Sequence, residues 1–183
     1  MLRAAECLIE AERVWVQVLD GVRAERWRAR VPAVPDGPPT AGSVEALVRV
    51  VVARDLALPA ELTGHEPVEQ APFDHHRALS DLARAAAAGI AEAAAGADDE
   101  ETLWRRAVAV AITAHEVSVH AGSVNPLTED LARTLYEHTA KDHDRWQELG
   151  YFGEPLTPVP DDVSWRDRFI MSAGRDPHPL WDR

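Results

Sequence analysis

The sequence predicts an all-α protein, and three features carry that prediction. Apolar residues recur at three- and four-residue intervals through five long stretches. The breaks between them are rich in proline and glycine, and no second strand-like run is present for a first one to pair with. With 183 residues, 46% of them hydrophobic, the chain can bury one core. The simplest architecture is an up-and-down helical bundle over 1–150, with an extended proline-rich C-terminal tail over 151–183 packed on it.

The first helix is read from about Leu2 to Arg30. Leu8, Trp15, Val18, Leu19 and Val22 form its inward stripe, with acids and arginines opposite. It ends where PAVPDGPPTAG begins, because proline cannot continue it. Ser43, followed by Glu45, caps a second helix through VEALVRVVVARDLAL that ends between Pro59 and Gly64. Val50, Val51 and Val52 also suit a strand, but the long apolar span favours helix. After the loop Thr63 to Pro72, Asp74 caps a third helix to about Ala95, with His75, Leu79, Leu82, Ala86 and Ile90 inward. The acidic run Asp98 to Glu101 suits the positive end of the next helix. That helix contains Trp104 to His120 and breaks at Gly122 and Asn125-Pro126. Thr128, Glu129 and Asp130 open a fifth helix that closes at Gly150, with Leu131, Leu135, His138, Trp146 and Leu149 inward. The tail carries one short amphipathic piece, Ser164 to Ala173.

Composition removes several function classes. A net charge of −12 argues against a nucleic-acid backbone or an anionic membrane as partner. The charged N-terminus fits no signal peptide and no apolar run reaches spanning length, so a cytoplasmic protein is expected. Cys7, the single cysteine, excludes an internal disulfide and reads as a small core residue. There is no phosphate-binding glycine loop, no G-x-S-x-G and no C-x-x-C.

Chemistry concentrates on the fourth helix. WRRAVAVAITAHEVSVH is almost wholly apolar in its first two-thirds, which marks a buried helix, and then carries Thr113, His115, Glu116, Ser118 and His120. Glu116 and His120 stand four apart, so they share one face, and Thr113 joins them one turn earlier. Buried ionisable groups need a partner, a metal or water. Glu116 beside His120 makes an acid/base pair in which the carboxylate orients the imidazole, or a hydrogen-bonded pair with only a structural role. His115 points about a third of a turn away from Glu116 and reads as a structural partner. His65, His143 and His178 read as solvated, His75 and His76 as capping neighbours, and Trp15, Trp104 and Trp146 as core. Arg54 is either a surface residue or a contact for an anionic substrate group. Arg175 and Asp176 read as ties between tail and bundle.

The order of a proline-rich link, an S-V-x-x-L-V helix, a core helix ending in E-x-x-x-H, and the tail Y-F-G-E-P, P-V-P-D-D, R-D-R-F and G-R-D-P resembles the DinB-like superfamily of four-helix bundles. The nearer branch is the mycothiol-dependent maleylpyruvate isomerase N-terminal type of actinobacteria. That resemblance implies a divalent metal, zinc or nickel, held by Glu116, His120 and a histidine of the second helix, and used to activate a low-molecular-weight thiol. Val50 stands at the histidine position and cannot bind a metal, and Ala121, Gly122 and Ser123 replace the aromatic-acid pair that follows the last ligand. A third ligand would have to come from His138, His75 or Asp55, since catalytic zinc sites use three protein ligands and water.

The leading expectation is a small-molecule enzyme of isomerase or cyclase type, working by acid/base chemistry without a cofactor, in secondary metabolism. Glu116, His120 and His138 are its catalytic candidates, with Arg54 and Thr113 contacting substrate. The alternatives are a metal- and mycothiol-dependent thiol transferase or isomerase, and a non-catalytic ligand-binding or homodimerising bundle.

Overall fold

The computed structural model describes residues 2–31, 42–65, 76–160 and 162–179, and all regular structure among them is helical. Seven helices follow in order: α1 Ala4–Gly21, α2 Val44–Thr63, α3 His76–Ala94, α4 Glu100–Ala121, α5 Glu129–Thr139, α6 His143–Glu148 and α7 Trp165–Ser172. None of the described helices is long and apolar enough to cross a membrane.

Local chemistry sets most of these boundaries. The Ser43 hydroxyl accepts from the Ala46 amide, Asp99 accepts from Thr102, and Thr128 accepts from Leu131, so α2, α4 and α5 each begin on a side-chain cap. The three valines of α2 are helical. That helix also runs on through Pro59 to Thr63 and stops at Gly64, whose left-handed backbone (φ 72°) a residue with a β-carbon would resist. Asp74 and His75 lie outside the described residues. Two stretches are shorter than their patterns suggest. The first helix ends at Gly21 rather than Arg30; the chain turns extended at Val22, and a 3-10 turn at Ala24–Arg26 leads to Trp27, which is buried. The fifth stretch divides into α5 and α6 around the 3-10 turn Ala140–Asp142. Just before the break, the Thr139 hydroxyl donates to the carbonyls of Leu135 and Tyr136, the back-bonding that bends helices.

Four long helices, α1 to α4, surround the main core, with α1 against α4 and α3, and α2 against α3 and α4. Their directions do not alternate strictly. Pro59, late in α2, packs on Gly89, late in α3, so these consecutive helices run the same way. A β-carbon on Gly89 would lie 3.3 Å from Pro59, which is why glycine stands at that crossing. The start of α2 is bonded to the chain that has just left α1, Val44 N–H to Ala29 and Glu45 N–H to Trp27. The Arg26 guanidinium lies beside Gly122 at the end of α4. The ends of α1 and α4 therefore meet where α2 begins, giving the order up, down, down, up. Long connections release sequence neighbours from alternation.

The tail is part of the same core. Phe152, Phe169, Ile170 and Ala173 are buried, the Phe152 and Phe169 rings stand 6.3 Å apart, and α7 lies along α5. Gly174 (φ 75°) lets the chain fold back on Gly153 and Glu154; a β-carbon there would come within 2.6 Å of the Glu154 carbonyl oxygen.

One charged cluster sits in the middle of the bundle. Glu12 is 1% exposed and Asp55 0%, both among apolar neighbours. Glu12 falls beside Leu8 and Leu19 on the helical wheel of α1, on the inward side rather than with the outward acids. The Arg106 guanidinium of α4 donates to Asp55 Oδ1, while Asp55 Oδ2 and both Glu12 oxygens have no hydrogen-bond partner among the described residues. Two buried carboxyls thus share one guanidinium. Burial pushes the Glu12 carboxyl well above the usual range, reinforced by Asp55 and opposed by Arg106. Burial also raises Asp55, to about 6, against the attraction of Arg106 and Arg54. An acid whose folded-state value is raised contributes stability at low pH that is lost as pH climbs through the folded value. Glu12→Gln removes that loss. We predict that Glu12→Gln raises the unfolding free energy by about 1–3 kcal/mol at pH 8 and much less at pH 5, read by urea denaturation; equal effects at both pH values would contradict a protonated Glu12.

Candidate functional site

α4 carries one polar face along its length. Thr102, Arg105, Arg106, Thr113, Glu116 and His120 recur at intervals of one, three, four and seven, which keeps them within about a third of the helix circumference. Arg106 meets Asp55 of α2, so this face is the one turned toward α2. On α2, Arg54 and Glu61 border a groove against α4 with Thr102, Arg105 and Arg106, and Val50 is 43% exposed while Val48, Val51 and Val52 are buried.

At the far end of this face Glu116 is held by two partners. The Arg175 Nε donates to Glu116 Oε1 at 3.0 Å, and His120 Nε2 stands 3.7 Å from Oε2. Arg175 is buried and its Nη1 donates to the Ala173 carbonyl at 2.6 Å, so the guanidinium is fixed from both sides. Burial alone would push the Glu116 carboxyl up. The His120 imidazole and the Arg175 guanidinium outweigh it and hold the group below its usual range, as a permanent anion at neutral pH. The tie between tail and bundle is therefore an ion pair to the same carboxylate that the E-x-x-x-H pattern singles out.

The tail continues across α4. His115 Nε2 donates to the Asp176 carbonyl at 3.1 Å and Nδ1 accepts from Asn125 at 3.3 Å, which makes its ring neutral; burial lowers its proton affinity in the same sense. His115 floors a cleft of about 330 Å³ whose wall is the tail and α7. In that wall His178, read from the sequence as solvated, pairs with Asp167 at 3.0 Å. His65 is bonded to Thr63, and the His143 ring lies 5.3 Å from that of Phe152.

Of the residues singled out in the sequence, Thr113, Glu116 and His120 share one face of α4, and Arg54 lies on the facing side of α2. The Thr113 hydroxyl is spent on the Ala109 carbonyl at 2.8 Å. His138 is elsewhere: its ring stacks on Trp104 at 3.9 Å, near the start of α4. Trp104 precedes Glu116 by twelve residues, about 18 Å of helix rise, so His138 does not belong with Glu116 and His120. Its place on the inward stripe is explained by that stack. Cys7 is buried, and burial pushes its thiol up to about 12, which makes it unreactive at neutral pH.

Among the described residues the donors do not fit a three-ligand metal, and His75 lies outside them. Asp55 is engaged by Arg106, Glu116 already has a cation against it in Arg175, and Val50 supplies no donor. Among the described residues no group of three or more His, Cys, Asp or Glu side chains comes together to hold an ion. Comparison with models of protein families, with curated proteins and with solved structures gave no match.

Removing one partner of a buried pair leaves the other charge uncompensated. Arg175→Ala is predicted to cost about 3 kcal/mol, and Glu116→Gln in the same chain to restore much of it. A thermodynamic cycle by chemical denaturation checks this, and additive losses would mean that the two residues do not act on each other.

Proposed function

We propose that this chain is a small-molecule enzyme built on a DinB-like helical bundle, in which His120 moves a proton on a bound substrate and Glu116 positions the imidazole. The observation that carries the reading is the fixed geometry of Glu116, ionised between Arg175 and His120 and mostly buried on a groove-facing helix. A carboxylate held ionised by an immobile guanidinium can orient the imidazole without exchanging a proton itself. Taking a proton from one carbon of a substrate and returning it to another is isomerisation; returning it after ring closure is cyclisation. Both need only an oriented base and a low-water site. Secondary metabolism is the setting we propose, with no cofactor.

A second reading is non-catalytic, a ligand-binding or dimerising bundle, and it too has a specific support: the Arg175 bond gives Glu116 a purely structural use. The metal- and mycothiol-dependent alternative has two donors in place and lacks the third.

His120→Gln separates the first two readings because it keeps a polar side chain at the same point. Loss of product formation by about 10²–10⁴-fold in cells that depend on the gene, with an unchanged unfolding midpoint, supports the enzyme; unchanged product formation defeats it. Metal analysis of untagged protein tests the third reading, which needs stoichiometric zinc or nickel that Glu116→Ala removes.

A further inference from the structure

The end of α4 away from His120 holds a second set of groups that the acid/base reading does not use. Arg54 of α2 and Arg105 and Arg106 of α4 line a cleft of about 410 Å³ together with Glu61, Thr102 and Tyr151. Arginine in this chain is usually paired: Arg3 with Glu6, Arg13 with Glu10, Arg49 with Glu45, Arg84 with Asp20, Arg133 with Glu137 and Arg145 with Glu101. Arg54 and Arg105, in common with Arg26, Arg28 and Arg30, break that habit. Neither Arg54 nor Arg105 makes a hydrogen bond or ion pair among the described residues, in a protein whose net charge is −12.

Arg54 is exposed, while Arg105 and Arg106 are half-buried. The Nε–H groups of Arg105 and Arg106 are both buried and both lack an acceptor. Arg106 spends Nη2 on buried Asp55, so it lines the cleft as the charged member of an ion pair. Those two Nε–H groups are shut off from the cleft, which leaves the Arg54 and Arg105 guanidinium tips as its available donors. Tyr151 adds a hydroxyl with no hydrogen-bond partner among the described residues. Glu61 is the one carboxylate on the rim, and Thr102 is occupied with Asp99.

We propose that this cleft binds a compact oxyanion, a phosphate or carboxylate group carried by a small molecule. The guanidinium edges match such a group in shape as well as charge, since planar N–H pairs meet two oxygens at once. The site rests on the bundle reading above for its link to a substrate, but not for binding itself. Arg106 precedes Glu116 by ten residues, about 15 Å of helix rise, so an anion held here lies well apart from His120 along the same face of α4.

Titration calorimetry of the whole chain with inorganic phosphate and, separately, with succinate tests this. Saturable binding of one or both is expected, weakened about tenfold or more by Arg54→Ala and by Arg105→Ala and unaltered by Arg133→Ala. Tighter binding of phosphate names a phosphorylated ligand; tighter binding of succinate names a carboxylic acid. Absence of saturable heat with either probe, or equal weakening by Arg133→Ala, would overturn the proposal. His120→Gln separates this site from the acid/base one: oxyanion binding survives in that variant, so failure of either idea leaves the other open to its own test.

Discussion

The structure depends on compensating the charges that α4 carries into the protein. An apolar helix is the natural centre of a small bundle, but this one brings Arg106 and Glu116 with it on a single face. Each is met by an opposite charge from another element, Asp55 from α2 and Arg175 from the tail. A buried pair of this kind adds little net stability over apolar residues of similar size; what it resists is the loss of one partner. The two pairs thereby fix how α2 and the tail sit on α4. That fixes the groove between α2 and α4 as well, because α2 touches α4 only lightly elsewhere.

The two ends of that groove are electrostatically unlike. At the Arg175 end, one carboxylate has both a guanidinium and an imidazole, and its charge is settled. At the Arg106 end, two buried carboxyls share a single guanidinium on the inside, while unpaired arginines face out. The same helix therefore holds an acid below its usual range at one end and lies against one raised far above it at the other. Desolvation acts on both; it wins at the fully buried Glu12 and Asp55, and the His120 and Arg175 partners win at the less buried Glu116. The tail takes part in the same arithmetic, since Arg175 joins His120 in holding Glu116 ionised.

Much of this was readable from residue order. Capping by Ser43 and Thr128, the stop at Gly122, the i, i+4 pairing of Glu116 and His120, and the tie through Arg175 and Asp176 are local or nearly so, and local rules reach them. Glu12 escaped because an acid was assigned to the polar side of α1 although its spacing from Leu8 and Leu19 puts it inside. The shared direction of α2 and α3 depends on long connections whose paths no periodicity encodes. His138 showed the limit of a stripe argument: an inward histidine serves equally as a ligand or as a flat ring, and the ring of Trp104 lies against it. The open cleft at Arg54, Arg105 and Arg106 had one visible signal, two adjacent arginines at the start of an apolar helix. That Arg106 is paired with Asp55 while Arg105 has no such partner is a fact of three dimensions.

Site-resolved carbon-13 NMR of the side-chain carboxyls across pH 3 to pH 9 measures the central claim directly, because it reads Glu116 and Glu12 in one sample. The account predicts opposite displacements, Glu116 losing its proton below the ordinary glutamate range and Glu12 keeping its proton well above it. Two curves that coincide near the ordinary glutamate value would mean that neither carboxyl is held as described, and the charge compensation on which the groove rests would fall with them.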